Sequence, residues 1–175
     1  NPTLVGYYAA VEKIIRPIAS LNRPVINAIF PHLSKIVKKD KKESFALSKK
    51  ATKLAVLFMG TIGICLFIFS DLIIEIIFGE NFKNSSIILK IMAFIPMIQS
   101  IIHIYGIPNM IILEYKKVYS NILFISLLLS VFLSYILILN FDYIGAALTS
   151  LFIELFILIT ILYYLRKLKD FQNDT

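Results

Sequence analysis

The chain predicts an all-α fold, a polytopic transmembrane helix bundle, and three observations carry that expectation. Hydrophobic residues make up 58% of the 175 and mean hydropathy is +0.82, too apolar for a single soluble core of this length. The apolar residues come in runs of about twenty or more, the length needed to cross a hydrocarbon core about 30 Å thick. Lysine and arginine fall between the runs. The segments Lys35–Lys53, Lys116–Lys117 and Arg166–Lys169 hold eight, two and three of them, 13 of the chain's 18. Every second connection is therefore basic, which is the positive-inside pattern of a multi-pass membrane protein.

Five spans follow in order. The first, about 4–34, is the longest and the least apolar, and carries Pro17, Pro24 and Pro31 at seven-residue intervals. Each of these prolines removes a backbone donor and is a candidate bending point. A lysine-rich cytoplasmic loop is expected over 35–53, able to touch anionic headgroups. The second span, about 52–70, is apolar from Leu54 to Phe69 save for Gly60, Thr61 and Gly63. Between spans two and three, Asp71 and Glu75 share one helical face with isoleucines on the others, so a short helix over about 71–79 is expected to lie in the outer interface and end at Gly79. The third span, about 87–113, contains Pro96, Gly106 and Pro108; the fourth, about 118–139, has no charge; the fifth, about 144–165, has only Glu154. Ser126, Ser130 and Ser134 form a small-residue ridge of the kind that packs helices together. Strand-like alternation is absent. Placing the basic connections in the cytoplasm puts the amino end outside and the carboxyl tail inside.

The net charge of +7 would suit nucleic acid, but the cations cap apolar spans, which disfavours that partner. Cys65 is a lone cysteine, so neither an internal disulfide nor a cysteine metal cluster is expected. No phosphate-cradling glycine loop, zinc-binding histidine pair or hydrolytic triad spacing is present, and no cofactor or enzymatic activity is expected. The chain opens on Asn1-Pro2 with no signal sequence and reads as a fragment of something longer.

The first span places its polar residues in register. At 100° per residue, Glu12, Arg16, Ser20, Arg23, Asn27 and Ser34 fall within an arc of about 80°, with Asn22 off it. An arginine facing lipid at mid-membrane would cost at least about 2.5–3.5 kcal/mol, so the stripe faces protein or a water-filled cavity. Glu12, four residues before Arg16, can partly neutralise it. Arg23 has no partner in its own helix, and a guanidinium fork suits an anionic ligand. Two readings stay open: a cavity wall that meets ligand, or a buried network in which the arginines pair with carboxylates on other helices. Gln99 and His103, four apart with Gly106 on the same face, extend the candidate site to the third span. His103 and Glu154 are candidates for ion coupling, against the plainer reading of hydrogen-bonded core groups.

Four short motifs then carry a resemblance. Val5-Gly6-Tyr7-Tyr8-Ala9-Ala10-Val11-Glu12-Lys13 resembles the VG-x-Y-x-x-A-x-K opening of bacterial polysaccharide (O-antigen) flippases, with Val11 at the alanine position. Pro31-His32-Leu33-Ser34 is similar to their P-x-x-S, Phe78-Gly79-Glu80-Asn81-Phe82 to their FG-x-x-[FY], and Gly145-Ala146-Ala147 to their G-A-A. The resemblance spans the whole chain, in order. It implies the carboxyl-terminal lobe, about five spans, of a two-lobed MATE-like transporter in the multidrug/oligosaccharidyl-lipid/polysaccharide exporter superfamily, in the bacterial inner membrane. It further implies a substrate, an undecaprenyl-pyrophosphate-linked oligosaccharide flipped to the outer leaflet, with membrane lipids and glycan-assembly proteins as partners. Arg16 and Arg23 would meet the anion, and Asn27 and Gln99 the sugars. The competing readings are an exporter of another cargo (the peptidoglycan lipid precursor or a drug-type cation) and a membrane glycan polymerase or ligase.

Overall fold

The computed structural model describes residues 2–37 and 39–173, with side chains over 3–37 and 39–167. Lys38 and the side chain of Lys169, counted above among the basic connections, lie outside the described residues. All secondary structure among them is helical.

The first span divides into α1 (Pro2–Ser20) and α2 (Asn22–Ile36). The break has a local cause. Pro24 has no N–H to give the carbonyl of Ser20, so the ladder stops there and the Leu21 N–H turns back to Ile18 at 3.1 Å. Asn22, immediately after the break, is buried at 1% exposure. Its Nδ2 donates to the Pro96 carbonyl at 3.3 Å, and its Oδ1 accepts from Ser100 Oγ at 2.9 Å. The residue off the polar stripe is thus the one that fastens the break to the centre of the bundle.

The loop expected over 35–53 ends at Asp40. From there α3 runs Lys41–Ile68, one helix through the lysines and the second apolar run. Asp40 is its N-cap, accepting from the backbone N–H of Lys42 at 2.7 Å and of Glu43 at 3.2 Å. Next come α4 (Ser70–Phe78), closed by Gly79 at φ 82° where only glycine is unstrained, and a 3₁₀ turn over Glu80–Phe82. Between α4 and the following helix, Lys90 Nζ meets Asp71 Oδ2 at 2.9 Å. That hydrogen bond, with a second from Ser86, holds the Asp71 carboxyl below its ordinary value of 3.8.

The third run is the most buried and forms the centre. It comprises α5 (Ser85–Met92), α6 (Ile95–Ser100), a π-helical segment Ile101–Gly106 and α7 (Ile107–Ile112). Pro96 and Pro108 each stand in the first turn of a segment, where a missing N–H does least harm. One extra residue per turn in the π segment rotates the faces that follow it. Gly106 lies against Ile161, whose Cγ2 would stand 2.8 Å from a Cβ there.

The remaining residues form α8 (Lys116–Asn173), which doubles back at Asp142 (φ 49°, ψ −128°) into two arms. A Cβ at Gly145 would overlap the Leu137 carbonyl of the first arm, so the hairpin requires glycine there. Two apolar clusters build the core. Val11 and Ile15 of α1 pack with Leu66, Ile74, Leu89 and Ala147; further along, Ile98, Ile102 and Met110 pack with Ile122, Ile161 and Leu165. The outward faces of α3 and the first arm stay apolar and exposed, as at Leu57, Phe58, Val131 and Phe132, which suits lipid as the solvent. Three helical stretches are long and apolar enough to cross a membrane: Lys41–Ile68, Ser85–Ile112 and Lys116–Lys167. The last, at 52 residues, exceeds twice the length of one crossing.

Candidate functional site: a polar trough along the first two helices

The polar stripe of α1 faces a trough of about 440 Å³ closed on the far side by α6 and both arms of α8. Tyr8, Glu12 and Arg16 line one wall, Gln99 the floor, and Ser150 and Glu154 the other wall. A second cavity of about 370 Å³ continues from it along α2, lined by Arg16, Ser20, Asn22, Arg23, Gln99 and His103. Arg16, Ala19 and Gln99 belong to both, so the two form one continuous polar groove.

Its walls are braced across. Gln99 Nε2 donates to Glu154 Oε1 at 2.6 Å, tying α6 to the second arm of α8. The hydroxyls of Tyr8 and Ser150 pair at 2.9 Å, tying that arm to α1. Glu12 and Arg16 form an ion pair at 2.7 Å, one helical turn apart, yet the Arg16 side chain keeps 75% of its surface exposed. Ser20 Oγ donates to the Pro17 carbonyl at 2.6 Å, taking the place of the Leu21 N–H, which turns back to Ile18. Arg23 makes no ion pair among the described residues. Arg23 lines the second cavity together with His103.

Six of the seven cavity candidates therefore meet: Glu12, Arg16, Ser20, Arg23, Gln99 and His103, joined by Glu154. Asn27 does not. It is exposed on α2, beyond Ile26, where the groove ends. Sequence reasoning set Asn22 off the stripe, placed Ser150 only as a neighbour of Glu154 and gave Tyr8 no part in the site; their roles come from partners 74 positions away for Asn22 and 142 for the Tyr8–Ser150 pair. The serine ridge also divides: Ser126 is buried in packing, whereas Ser130 and Ser134 line the trough. Their register on the fourth span was the available signal. Among the described residues no group of three or more metal-ligating side chains converges.

At the opposite end of α1, the residues that carry the family resemblance touch one another. Tyr7 meets Phe82 (ring centroids 5.9 Å) and Tyr143 (5.6 Å) edge-on, and Phe78 meets Phe82 at a tilt of 41° (5.6 Å). The VG-x-Y segment, the FG-x-x-F segment and the α8 hairpin thus meet in one aromatic cluster. Comparison with known proteins agrees. Residues 1–87 match the family described as "Polysaccharide biosynthesis protein". A relative from Escherichia coli (strain K12), named "Putative O-antigen transporter", is 31% identical over 169 residues, 97% of this chain and 41% of that protein. The chain thus spans well under two thirds of that relative's length. No solved structure matches it. Helical membrane architecture, motif positions and these matches coincide, and the chain belongs to the polysaccharide and O-antigen flippase family.

Proposed function

We propose that this chain is one lobe of a two-lobed, MATE-like transporter of the bacterial inner membrane. Its cargo is an undecaprenyl-pyrophosphate-linked oligosaccharide, carried from the cytoplasmic to the outer leaflet by alternating access. The observation that carries the reading is the trough itself: two arginines, one unpaired among the described residues, on the wall of a groove within an otherwise apolar helical bundle. A pyrophosphate needs cationic forks in a place where water is scarce, and the groove's hydroxyls and amide can take up sugar hydroxyls while the isoprenoid stays in lipid. Arg16 and Arg23 are assigned to the anion and Gln99 to the sugars. Glu154 and His103 are the ionisable groups on the walls facing α1, where an ion could couple to the cycle. The basic connections face the cytoplasm, with the amino end of the chain outside, and glycan-assembly proteins are the partners that would supply and receive the cargo.

The test is made with the full-length protein in cells lacking its gene. The lipid-linked glycan should accumulate facing the cytoplasm, and wild type should restore its outer-leaflet delivery. Arg16→Ala/Arg23→Ala should lower delivery by at least about tenfold, the loss of one charge-assisted contact of 1.5 kcal/mol or more. Unchanged sidedness after deletion would overturn the cargo. Full rescue by the double variant would reduce the arginines to structure.

A further inference from the structure

A further cavity lies apart from the trough. On the other side of the π segment, α3 and the second arm of α8 enclose a groove of about 440 Å³. Its wall is apolar, with Val56, Ile101 and Leu162, and at one end stand three cations, Lys49, Lys53 and Arg166. No carboxylate lines it, and none of the three makes an ion pair among the described residues. Lys49, Lys53 and Val56 recur at the spacing of one face of α3, so the positive end and the apolar length are successive turns of the same surface. Arg166 comes from the last described turns of α8, and both cation groups belong to the connections that the charge pattern puts on one side of the membrane.

We infer that this groove is a binding site for an anionic glycerophospholipid, with the phosphate held by Lys49, Lys53 and Arg166 and the first part of an acyl chain lying along Val56, Ile101 and Leu162. Charge complementarity selects the occupant. Three unpaired cations at the interfacial end of an apolar, lipid-facing groove match a phosphodiester with a hydrocarbon tail and nothing zwitterionic. The neighbouring surface of α3 is exposed and apolar at Leu54, Leu57 and Phe58, so lipid has open access. The same π segment presents Ile101 and Tyr105 to this groove and His103 to the arginine trough, so an occupied lipid site bears directly on one wall of the trough. The inference rests on the membrane reading of these helices and not on the identity of the cargo.

The full-length protein, purified in neutral detergent, is titrated with phosphatidylglycerol and, separately, with phosphatidylcholine of the same acyl chains, and bound lipid is counted by native mass spectrometry. Each cation near the surface is worth about fivefold in affinity. Lys49→Gln/Lys53→Gln/Arg166→Gln should therefore weaken phosphatidylglycerol binding by at least about tenfold, while Lys83→Gln/Lys116→Gln/Lys117→Gln, with the same loss of charge elsewhere, should leave it unchanged. If the triple variant does not elute as a single species, the three single variants carry the test at about fivefold each. Equal loss in the control variant, or equal binding of phosphatidylcholine, would overturn the site. Displacement of the lipid by glycerol phosphate at equal concentration would make it a free-phosphate site and overturn the lipid assignment. Lipid binding is read in detergent and delivery in cells, so failure of one leaves the other standing.

Discussion

The brace between Gln99 and Glu154 can be broken in a way that reports its strength. Gln99→Leu removes the donor while keeping side-chain volume, and leaves Glu154, half-buried on the trough wall, without its 2.6 Å partner. Interhelical hydrogen bonds in membranes average about 0.6 kcal/mol and reach about 1.7, because the unfolded chain in lipid also finds partners. A carboxylate acceptor roughly doubles a neutral bond. The short distance and the carboxylate acceptor place this pair toward the top of that range, a coupling of about 1–2 kcal/mol. Gln99→Leu alone should cost about 1–3 kcal/mol, since it also strands the acceptor. Gln99→Leu/Glu154→Leu, with neither group left, should cost less than the sum of the single changes by the coupling energy. The assay is reversible unfolding of the full-length protein in mixed micelles, run as a complete double-mutant cycle. Additivity within about 0.5 kcal/mol would refute the brace. Glu154→Gln, which keeps an acceptor oxygen, should retain part of the coupling and so separates the bond from the charge.

Asp40→Ala should destabilise the start of α3 by about 1 kcal/mol, the usual value of an N-cap, and Asp40→Asn should restore most of it; hydrogen exchange at Lys42 and Glu43 would show which amides are released. The Asp71–Lys90 pair is solvent-exposed, and Asp71→Asn should leave the unfolding midpoint at pH 7 nearly unchanged. Because folding lowers the Asp71 carboxyl from 3.8, whatever the pair contributes is fully present above that value and is lost as pH falls through the lower folded one. A wild-type minus Asp71→Asn difference that grew on acidification would contradict this.

Part of the trough was visible before any coordinates. Glu12, Arg16, Ser20 and Arg23 share a helical arc, and an arc needs only the 3.6-residue period and the penalty for charge in lipid. The start of α3 was equally available in Asp40-x-x-Glu43, a capping pair, but the lysine density around it reads as solvated loop. Asn27 illustrates the limit of periodicity. It lies in the arc, yet the groove stops at Ile26 and leaves Asn27 exposed on α2.

Residues, spacing and charge thus point to lipid as the solvent of this chain and give its helical class, the family it resembles and one wall of the candidate site. Those properties follow from local chemistry: the length of apolar runs, the positions of cations, the cost of an arginine in hydrocarbon. The placement of Gln99, His103 and Glu154 opposite that wall, and the entry of Tyr8 and Asn22, came from folding alone. Gln99 reaches Glu154 across 55 residues, Tyr8 reaches Ser150 across 142, and Asn22 reaches Ser100 across 78. The π segment turns Ile101 and Tyr105 to one cavity and His103 to another. Contacts of that separation depend on how helices cross and where a backbone slips by one residue, and both are set by packing that no single segment encodes.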